Sequence, residues 1–145
     1  MSRRDVRVVL GAWPELAVRA TPIRFQVFVD EQGVPAEMEL DACDATSCHA
    51  LALVAGQAVG TGRLLPDGHI GRMAVLAAWR GRGVGAALLQ ALMDEGKRRG
   101  MRVLALSAQT HALGFYARFG FVPRGPAYEE AGLPHQAMEC RLAAD

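Results

Sequence analysis

The sequence predicts a single domain of mixed α/β (α+β) class over residues 1–145, with a sheet flanked by helices. A chain of this length usually forms one domain with one core. Short apolar runs bounded by turn residues outnumber the segments with a three- to four-residue apolar period, so strands should outnumber helices. The helical segments interrupt the strands at intervals, which is typical of a mixed sheet domain.

Four strands and one helix are predicted in the first half of the chain. The strands are expected at 6–10, 49–54, 59–65 and 70–76. Residues 13–29 have a helical pattern, and Pro22 should break or restart this helix because proline cannot donate the helical hydrogen bond. Residues 30–48 are polar, acidic and contain Gly33 and Pro35, which predicts an irregular connection.

Strand 70–76 leads into a glycine-rich turn, and its side chains should alternate between two faces. One face is predicted to contain Ile70, Arg72 and Ala74, and the other Gly71, Met73 and Val75. A helix follows at about 83–99 and ends at a basic run and a glycine. Thr110 is expected to cap a second helix that ends at Gly120. The last strands are predicted at 102–107, from 121, and at 136–142, with a polar loop at 123–132.

Composition and charge limit the classes of function. The net charge of +1 gives no reason to expect a nucleic-acid partner, although basic residues cluster locally between positions 80 and 99. The three cysteines are odd in number and match no zinc pattern, so no disulfide framework and no metal are expected. No stretch approaches the length of a membrane span, and no signal-peptide core is visible. These observations predict a cytoplasmic protein without a membrane partner.

The segment Arg80-Gly81-Arg82-Gly83-Val84-Gly85 carries the clearest functional signal. Its glycines permit positive φ and a close approach of backbone to a ligand. The helix that follows points unpaired N–H groups and the positive end of its dipole toward the same place, and the two arginines add positive charge. The segment therefore predicts a site for a phosphate or a pyrophosphate.

Two common phosphate motifs fail on this segment. A P-loop requires a Lys-Ser or Lys-Thr pair, but Gly85 is followed by two alanines. The dinucleotide fingerprint G-x-G-x-x-A fits the letters, yet it expects an acidic residue about 20 positions further on. Residues 104–109 contain no acid, and the turn does not run straight off the preceding strand. Both motifs are therefore rejected.

The pattern Arg80-x-x-Gly83-x-Gly85 closely resembles the acetyl-CoA motif Q/R-x-x-G-x-G/A of the GNAT superfamily of N-acetyltransferases. A second segment, residues 112–121, resembles the family's later A-x-x-F-Y-x-x-x-G-F pattern, and the spacing leaves room for one helix and one strand. Residues 24–35 and the run Pro134-His135-x-x-Met138 are similar to a bacterial branch, the small ElaA-like or YjcF-like proteins. Together the matches span about residues 6–142.

The resemblance implies a mostly antiparallel sheet, splayed at its centre, that binds acetyl-CoA as co-substrate. The acceptor would be an amine, expected to be a small molecule, and homodimers are common among similar proteins. Backbone groups of the strand and of the turn would contact the pantetheine arm and the pyrophosphate. The residues expected to bind the coenzyme are Met73, Ala74, Val75, Arg80, Gly81, Arg82, Gly83, Val84, Gly85, Ala86, Gln109, Phe115 and Tyr116.

The resemblance also implies that Tyr116 is the general acid that protonates the departing thiolate. The attacking amine must lose a proton, and Glu31 and His135 are the expected catalytic bases, with Glu37, Glu39 and His111 as further candidates. The acids of 37–44 are expected to form a solvated loop that attracts a cationic acceptor. An alternative to the enzyme is a non-catalytic acyl-CoA-binding or sensing module on the same fold, although a binder has no need of a phenol at Tyr116.

Overall fold

A computed structural model describes residues 5–39 and 41–143 and confirms the mixed α/β fold. Within these residues, the strands are β1 (Val6–Gly11), β2 (Cys48–Val54), β3 (Gln57–Leu64), β4 (Ile70–Val75), β5 (Val103–Gln109), β6 (Val122–Pro123), β7 (Tyr128–Glu130) and β8 (Leu133–Arg141). The α-helices are α1 (Trp13–Arg24), α2 (Ala36–Glu39), α3 (Val84–Arg98) and α4 (Leu113–Ala117). No helix of the described ranges is long and apolar enough to span a bilayer.

The strands form two sheets in which neighbours are antiparallel. The first has the order β1-β2-β3-β4, and in the second β8 lies between β5 and β6 and also pairs with β7. A parallel bridge between His69 and Ala105 links the sheets where β4 and β5 begin. The predicted splayed, mostly antiparallel sheet is therefore confirmed.

Helices cover both faces of the first sheet. On one face, α3 buries Leu88, Leu89 and Leu92 completely in the main core, which both sheets share. On the other face, α1 packs through Leu16 and Ile23. This layering fixes the position of the N-terminus of α3, which directly follows Gly83 of the glycine-rich turn.

Gly60 of β3 allows α3 to pack directly on the sheet. A Cβ at this position would lie 2.9 Å from Leu88 Cδ1, 2.9 Å from Val84 Cγ1 and 3.2 Å from the Ala74 carbonyl oxygen. These distances are shorter than normal carbon contacts, so a side chain here would push the first turn of α3 away from the sheet. The position of the helix N-terminus thus depends on a glycine of a neighbouring strand.

The prediction that the first helix breaks at Pro22 is wrong. Helix α1 continues through Pro22 to Arg24, and the chain then adopts a π-helix over Phe25–Glu31. Pro22 leaves the carbonyl of Val18 without a helical donor, and Val18 lies on the solvent side with 83% of its surface exposed, where water can satisfy that carbonyl. The π-helix carries the chain to Glu31 at the edge of the cleft described below.

Strand β4 contains a bulge that corrects its predicted faces. On β3, Thr61 pairs with Ala74 and Arg63 pairs with Gly71, so two residues of β4 oppose one of β3. Arg72, one of these two, has a φ of 49°. The extra residue reverses the alternation. Ile70 therefore faces the α3 core, whereas Ala74 faces α1, and the prediction that they share a face is wrong.

Two smaller predictions in the second half also fail. Thr110 lies within a 3₁₀ turn, Thr110–Ala112, and the N-cap of α4 is Ala112, which makes no side-chain cap hydrogen bond. The loop predicted at 123–132 contains β7, because Tyr128 pairs with His135 of β8. β7 is three residues long and forms a hairpin with the start of β8 through Ala131 and Gly132, both of which have positive φ.

Two acids of the predicted solvated loop are instead buried against arginines, which corrects the prediction for Glu39 and Asp44, whereas Glu37 is exposed as predicted. Glu39 and Asp44 are 1% and 3% exposed. Buried Arg24 donates to Glu39 Oε1 (2.7 Å) and to Asp44 Oδ1 (2.8 Å). Arg63 donates to Asp44 Oδ1 (2.9 Å) and to Asp41 Oδ1 (2.7 Å). The paired acids therefore have little charge left with which to attract a cationic acceptor, and buried Glu39 is removed as a candidate base.

These pairs predict a stability that decreases in acid. The hydrogen bond from Arg63 lowers the pKa of Asp41 from 3.8 to about 2. Burial alone would raise the pKa of Asp44, but its pairing with Arg24 and Arg63 outweighs burial and lowers it. Because the unfolded chain binds these protons at higher pH than the folded protein, stability is expected to fall as pH decreases from about 4 to about 2.

Urea unfolding at a series of pH values measures this effect. The variant Asp41→Asn lacks one of the two titrating groups, so the loss of stability between about pH 4 and pH 2 should become shallower than in the wild type. An identical pH dependence in the variant would show that Asp41 makes no contribution of this kind.

Candidate active site

A cleft opens between β4 and β5. The Ala105 N–H donates to the Gly68 carbonyl oxygen (3.0 Å) beside the His69–Ala105 bridge, near the beginning of both strands. Further along, within the described residues, β4 pairs with β3 and β5 pairs with β8, and no ladder joins β4 to β5. The two strands therefore leave a gap toward their carboxyl ends, where this edge of β4 has no strand partner among the described residues.

The glycine-rich turn lies at the open end of this gap. A 3₁₀ turn, Ala77–Trp79, separates it from β4. Gly81 and Gly83 have φ values of 76° and 84°, and Gly83 is the N-cap of α3. The first helical hydrogen bond at this end runs from Ala87 N–H to the Gly83 carbonyl oxygen (3.0 Å), so the N–H groups of residues 84–86 have no partner within the helix.

The turn lines a cavity of about 600 Å³. Its walls comprise Val75, Trp79, Arg80, Gly81, Arg82, Gly83, Val84, Gly85, Ala86, Phe115 and Arg118. The cavity therefore combines the positive end of α3 with three arginines, a combination that suits a polyanionic ligand. A smaller adjoining cavity, of about 250 Å³, extends along α3 to Gln90 and Phe119.

Two lining residues were missed by the sequence analysis. Trp79 lies directly before the motif, and the guanidinium of Arg82 stands 5.4 Å from the centre of its ring. Arg118 follows Phe115 by three positions, a spacing that places both on one side of a helical turn. That spacing was the available signal for Arg118, whereas nothing in the sequence indicates the contact between Trp79 and Arg82.

An aromatic wall faces the turn from α4. Phe115 packs close to Gly85, where a Cβ would lie 3.5 Å from the Phe115 Cζ atom. The ring of Tyr116 meets Phe115 edge to face at 5.0 Å and Phe121 at 6.1 Å. Burial raises the pKa of Tyr116 to about 12, so its phenol is protonated at neutral pH. Within the described residues no hydrogen bond engages its hydroxyl group.

Glu31 pairs with Arg80 of the turn. The two carboxylate oxygens of Glu31 accept from Arg80 Nη1 (2.5 Å) and Nη2 (2.8 Å), and Arg80 Nε donates to the Val75 carbonyl oxygen (3.0 Å). The hydrogen bonds with Arg80 lower the pKa of Glu31, and Glu31 in turn raises the pKa of Arg80. Both side chains remain partly exposed, at 39% for Glu31 and 43% for Arg80.

A pair of amides lies beside this ion pair. Gln109 Nε2, at the end of β5, donates to Gln32 Oε1 (2.9 Å), and Gln32 Nε2 donates back to Gln109 Oε1 (3.4 Å). Gln32 directly follows Glu31, so consecutive residues at the end of the π-helix are bonded to β5 and to the glycine-rich turn. The π-helix thus contacts both sides of the gap between β4 and β5.

His135 lies opposite Gln109 in the β5–β8 register and is 7% exposed. Its Nδ1–H donates to the Leu133 carbonyl oxygen (2.8 Å), which leaves Nε2 as the free ring nitrogen. Nε2 is 3.7 Å from a carboxylate oxygen of Glu130, and the ring stacks on Tyr128 with centroids 6.1 Å apart. The pairing of β8 with β5 and with β7 therefore sets which residues surround the His135 ring.

The predicted site residues divide into two groups. Val75, Phe115 and the whole turn 80–86 line the large cavity. Met73 and Ala74 do not line it, because Met73 packs toward Gly62 and Ala74 is buried against α1. Gln109, Tyr116, Glu31 and His135 also lie outside the cavity lining. The side chains of these two β4 residues are therefore packed inside the protein.

Comparisons with known proteins agree with this geometry. A family model, the Acetyltransferase (GNAT) domain, matches residues 15–142. The chain is 37% identical over 137 residues to the uncharacterized N-acetyltransferase YjcF of Bacillus subtilis, covering 92% of this chain and 98% of that protein.

Two solved structures of similar length superimpose well on this chain. An acyl-CoA N-acyltransferase from Pseudomonas aeruginosa matches with a TM-score of 0.83 and 30% identity, covering 93% of this chain and 99% of that one. Escherichia coli ElaA matches with a TM-score of 0.83 and 30% identity, covering 94% and 99%. The sequence and the structure thus agree, and this chain belongs to the GNAT acetyltransferase family and is an acyltransferase.

Proposed function

We infer that this protein transfers an acetyl group from acetyl-CoA to the amine of a small molecule, by direct attack in a ternary complex. The observation that carries the proposal is the N-terminus of α3, which opens onto a cavity of about 600 Å³ at the end of a splayed strand. Free N–H groups, a helix dipole and three arginines suit a pyrophosphate, and the free edge of β4 suits an extended amide-bearing arm.

Backbone groups would make most contacts with the coenzyme. The N–H groups of residues 82–86 would hold the pyrophosphate, with Arg80, Arg82 and the newly found Arg118 adding charge. The backbone of β4 at residues 73–75 would pair with the pantetheine amides as an added strand does. Gln109 would offer its side-chain amide near the arm. Phe115 would supply an apolar wall beside Gly85.

Tyr116 is proposed as the general acid. Acetyl-CoA supplies an acetyl group activated as a thioester. As the new C–N bond forms and the C–S bond breaks, Tyr116 would give its hydroxyl proton to the departing sulfur. Burial raises its pKa to about 12, so the phenol carries the proton that a general acid must have at neutral pH.

Glu31 and His135 are the proposed acceptors of the proton that the amine loses. For Glu31 the lowered pKa in the pair with Arg80 makes it a weak base in the free protein. For His135, the bond from Nδ1–H to the Leu133 carbonyl leaves Nε2 able to accept a proton.

We also propose that residues 1–145 act as one domain, since the main core includes Leu64 of one sheet and Leu104 of the other. Sedimentation tests the homodimer that the family resemblance implies.

Ligand-dependent thermal unfolding tests the coenzyme. At a concentration of 100 times Kd, a ligand stabilises the folded state by about 2.7 kcal/mol. Acetyl-CoA and CoA should therefore raise the unfolding temperature by several degrees, whereas NAD should leave it unchanged. Release of free thiol with a panel of amines then measures turnover. Stabilisation without thiol release from any amine would favour the non-catalytic binder.

A charge placed at Gly85 should abolish coenzyme binding. Gly85→Asp adds a negative charge next to the proposed pyrophosphate site, and two unit charges about 4 Å apart repel by about 4 kcal/mol at an effective dielectric of 20. We expect the affinity for CoA to fall by at least about 100-fold, measured by calorimetry. The fold should persist because an acidic residue in the first turn of a helix is favourable.

Gly85→Asn is the matched control, because Asn has the size and shape of Asp without its charge. It should keep more of the affinity for CoA than Gly85→Asp. Equal losses in Gly85→Asp and Gly85→Asn would mean that bulk and not charge is responsible. An unchanged affinity for CoA in Gly85→Asp would show that the pyrophosphate does not bind at this turn.

A further inference from the structure

Arg80 is engaged in the free protein by two groups that the proposed function needs elsewhere. Its Nε donates to the Val75 carbonyl oxygen (3.0 Å), a backbone acceptor on the proposed pantetheine edge. Its two terminal nitrogens bind both oxygens of Glu31, at 2.5 and 2.8 Å. The guanidinium therefore presents its main donors to the protein and not to the cavity that it lines.

We propose that the coenzyme and Glu31 compete for Arg80, so that seating the coenzyme releases the Glu31 carboxylate to bind the ammonium group of the acceptor. This inference rests on the proposed function. Rotation of one side chain would transfer the guanidinium to the pyrophosphate, free the Val75 carbonyl for the pantetheine arm and expose an anion beside the gap. The acceptor site would thus be completed only after the coenzyme is bound.

The strengths of the competing pairs favour such an exchange. The pair of Arg80 with Glu31 is more than a third exposed on both sides, and exposed pairs of this kind change equilibria by only a few-fold. A pyrophosphate presents more charge and several oxygens to a guanidinium, held in place by the N-terminus of α3. A weak existing pair and a stronger incoming anion make the free arrangement easy to displace.

The released carboxylate would remain beside the acceptor. Glu31 ends the π-helix, and the next residue, Gln32, is held by Gln109 at the end of β5. That pair does not involve Arg80, so it keeps Glu31 next to the gap when Arg80 leaves. In the following connection, Glu39, Asp41 and Asp44 are already paired with arginines, whereas Glu31 is the carboxylate that coenzyme binding would free beside the gap.

The affinity for CoA in the variant Glu31→Gln tests the competition. Removing the carboxylate frees Arg80 in advance, so Glu31→Gln should bind CoA about two- to five-fold more tightly than the wild type in calorimetry. The matched control is Asp30→Asn, which removes the same charge from the neighbouring exposed residue. It should stay within about two-fold of the wild type.

The effect of Glu31→Gln is also measured in the variant Arg80→Gln, and this comparison decides whether the gain in affinity depends on Arg80. Without the arginine there is no competition, so adding Glu31→Gln to Arg80→Gln should leave the affinity for CoA unchanged. A gain that persists in this background would instead reflect simple repulsion between Glu31 and the phosphates, and would overturn the proposal. Unchanged or weaker binding of CoA in Glu31→Gln would also overturn it.

Acceptor kinetics supply a second readout. Glu31→Gln should raise the KM for the best amine of the panel by about ten-fold or more, while Asp30→Asn leaves it unchanged. An unaltered KM in Glu31→Gln would overturn the role of the released carboxylate. If the wild type itself binds no CoA, the proposed function fails. If it binds CoA and only the Glu31→Gln results disagree, this inference alone fails.

Discussion

Replacing Tyr116 with Phe is expected to lower kcat for acetyl transfer by about 100-fold or more, with little change in the affinity for CoA. A positioned general acid contributes about 10²–10⁴-fold to a rate. The ring of Tyr116 packs against Phe115 and Phe121, and Phe preserves these contacts. No hydrogen bond within the described part of the chain holds its hydroxyl, so the substitution removes a proton donor and leaves the aromatic wall intact.

Tyr128→Phe is the matched control, because Tyr116 and Tyr128 are the two tyrosines of the chain. Tyr128 is 38% exposed, and its hydroxyl is hydrogen-bonded to that of Ser107. We expect kcat of the control to stay within about three-fold of the wild type, in line with the loss of one exposed hydrogen bond. Equal kcat in Tyr116→Phe and the wild type would exclude Tyr116 from the chemistry and direct the search to another donor, such as bound water.

Replacing Arg24 with Ala is expected to destabilise the protein by about 3–5 kcal/mol and to lower its unfolding temperature by about 10 °C. Arg24 is 1% exposed, bonds both Glu39 and Asp44, and lies 5.0 Å from the centre of the Trp13 ring. Among the residues that the structure describes, its removal leaves Glu39 buried with Arg72, at 3.6 Å, as the remaining ion-pair partner. A buried carboxylate without a close partner is costly because the interior solvates charge poorly.

Two further variants separate charge from packing. Arg24→Met keeps much of the volume but removes the charge, and it should destabilise nearly as much as Arg24→Ala. Arg19→Ala removes an exposed arginine from the same helix and should change the free energy of unfolding by no more than about 0.5 kcal/mol. If Arg24→Met were as stable as the wild type, the packing of Arg24 and not its charge would stabilise the fold, and Glu39 and Asp44 would tolerate the loss of the guanidinium.

The sequence predicts the cleft more accurately than its surroundings. Local residues alone create the turn: two glycines adopt positive φ, and α3 begins directly after Gly83. Phe115 could be linked to this turn through the family resemblance, and it does pack near Gly85. Such features depend on residues adjacent in sequence or on a motif with fixed spacing, which is why they could be read without a structure.

Features that depend on distant partners were not predictable. The acids Glu39 and Asp44 look like a solvated charge run until Arg24 and Arg63 are brought to them by the fold. In the same way, strict alternation along β4 places Ile70 and Ala74 on one face, and the bulge at Arg72 is visible only through its pairing with β3. The alternation of side chains can be derived from one strand alone, whereas a bulge arises from the pairing of two strands.

The ion-paired connection bears on how acceptor choice could be engineered in this protein. Residues 36–47 resemble a variable surface loop, yet Glu39 and Asp44 are buried in them, so random libraries over this stretch would sample mainly misfolded chains. Residues 122–130 are exposed throughout and lead into β8 shortly before His135. Diversity introduced at 124–130 would therefore change the surface beside His135 and Ser107 of β5 while the buried scaffold stays intact.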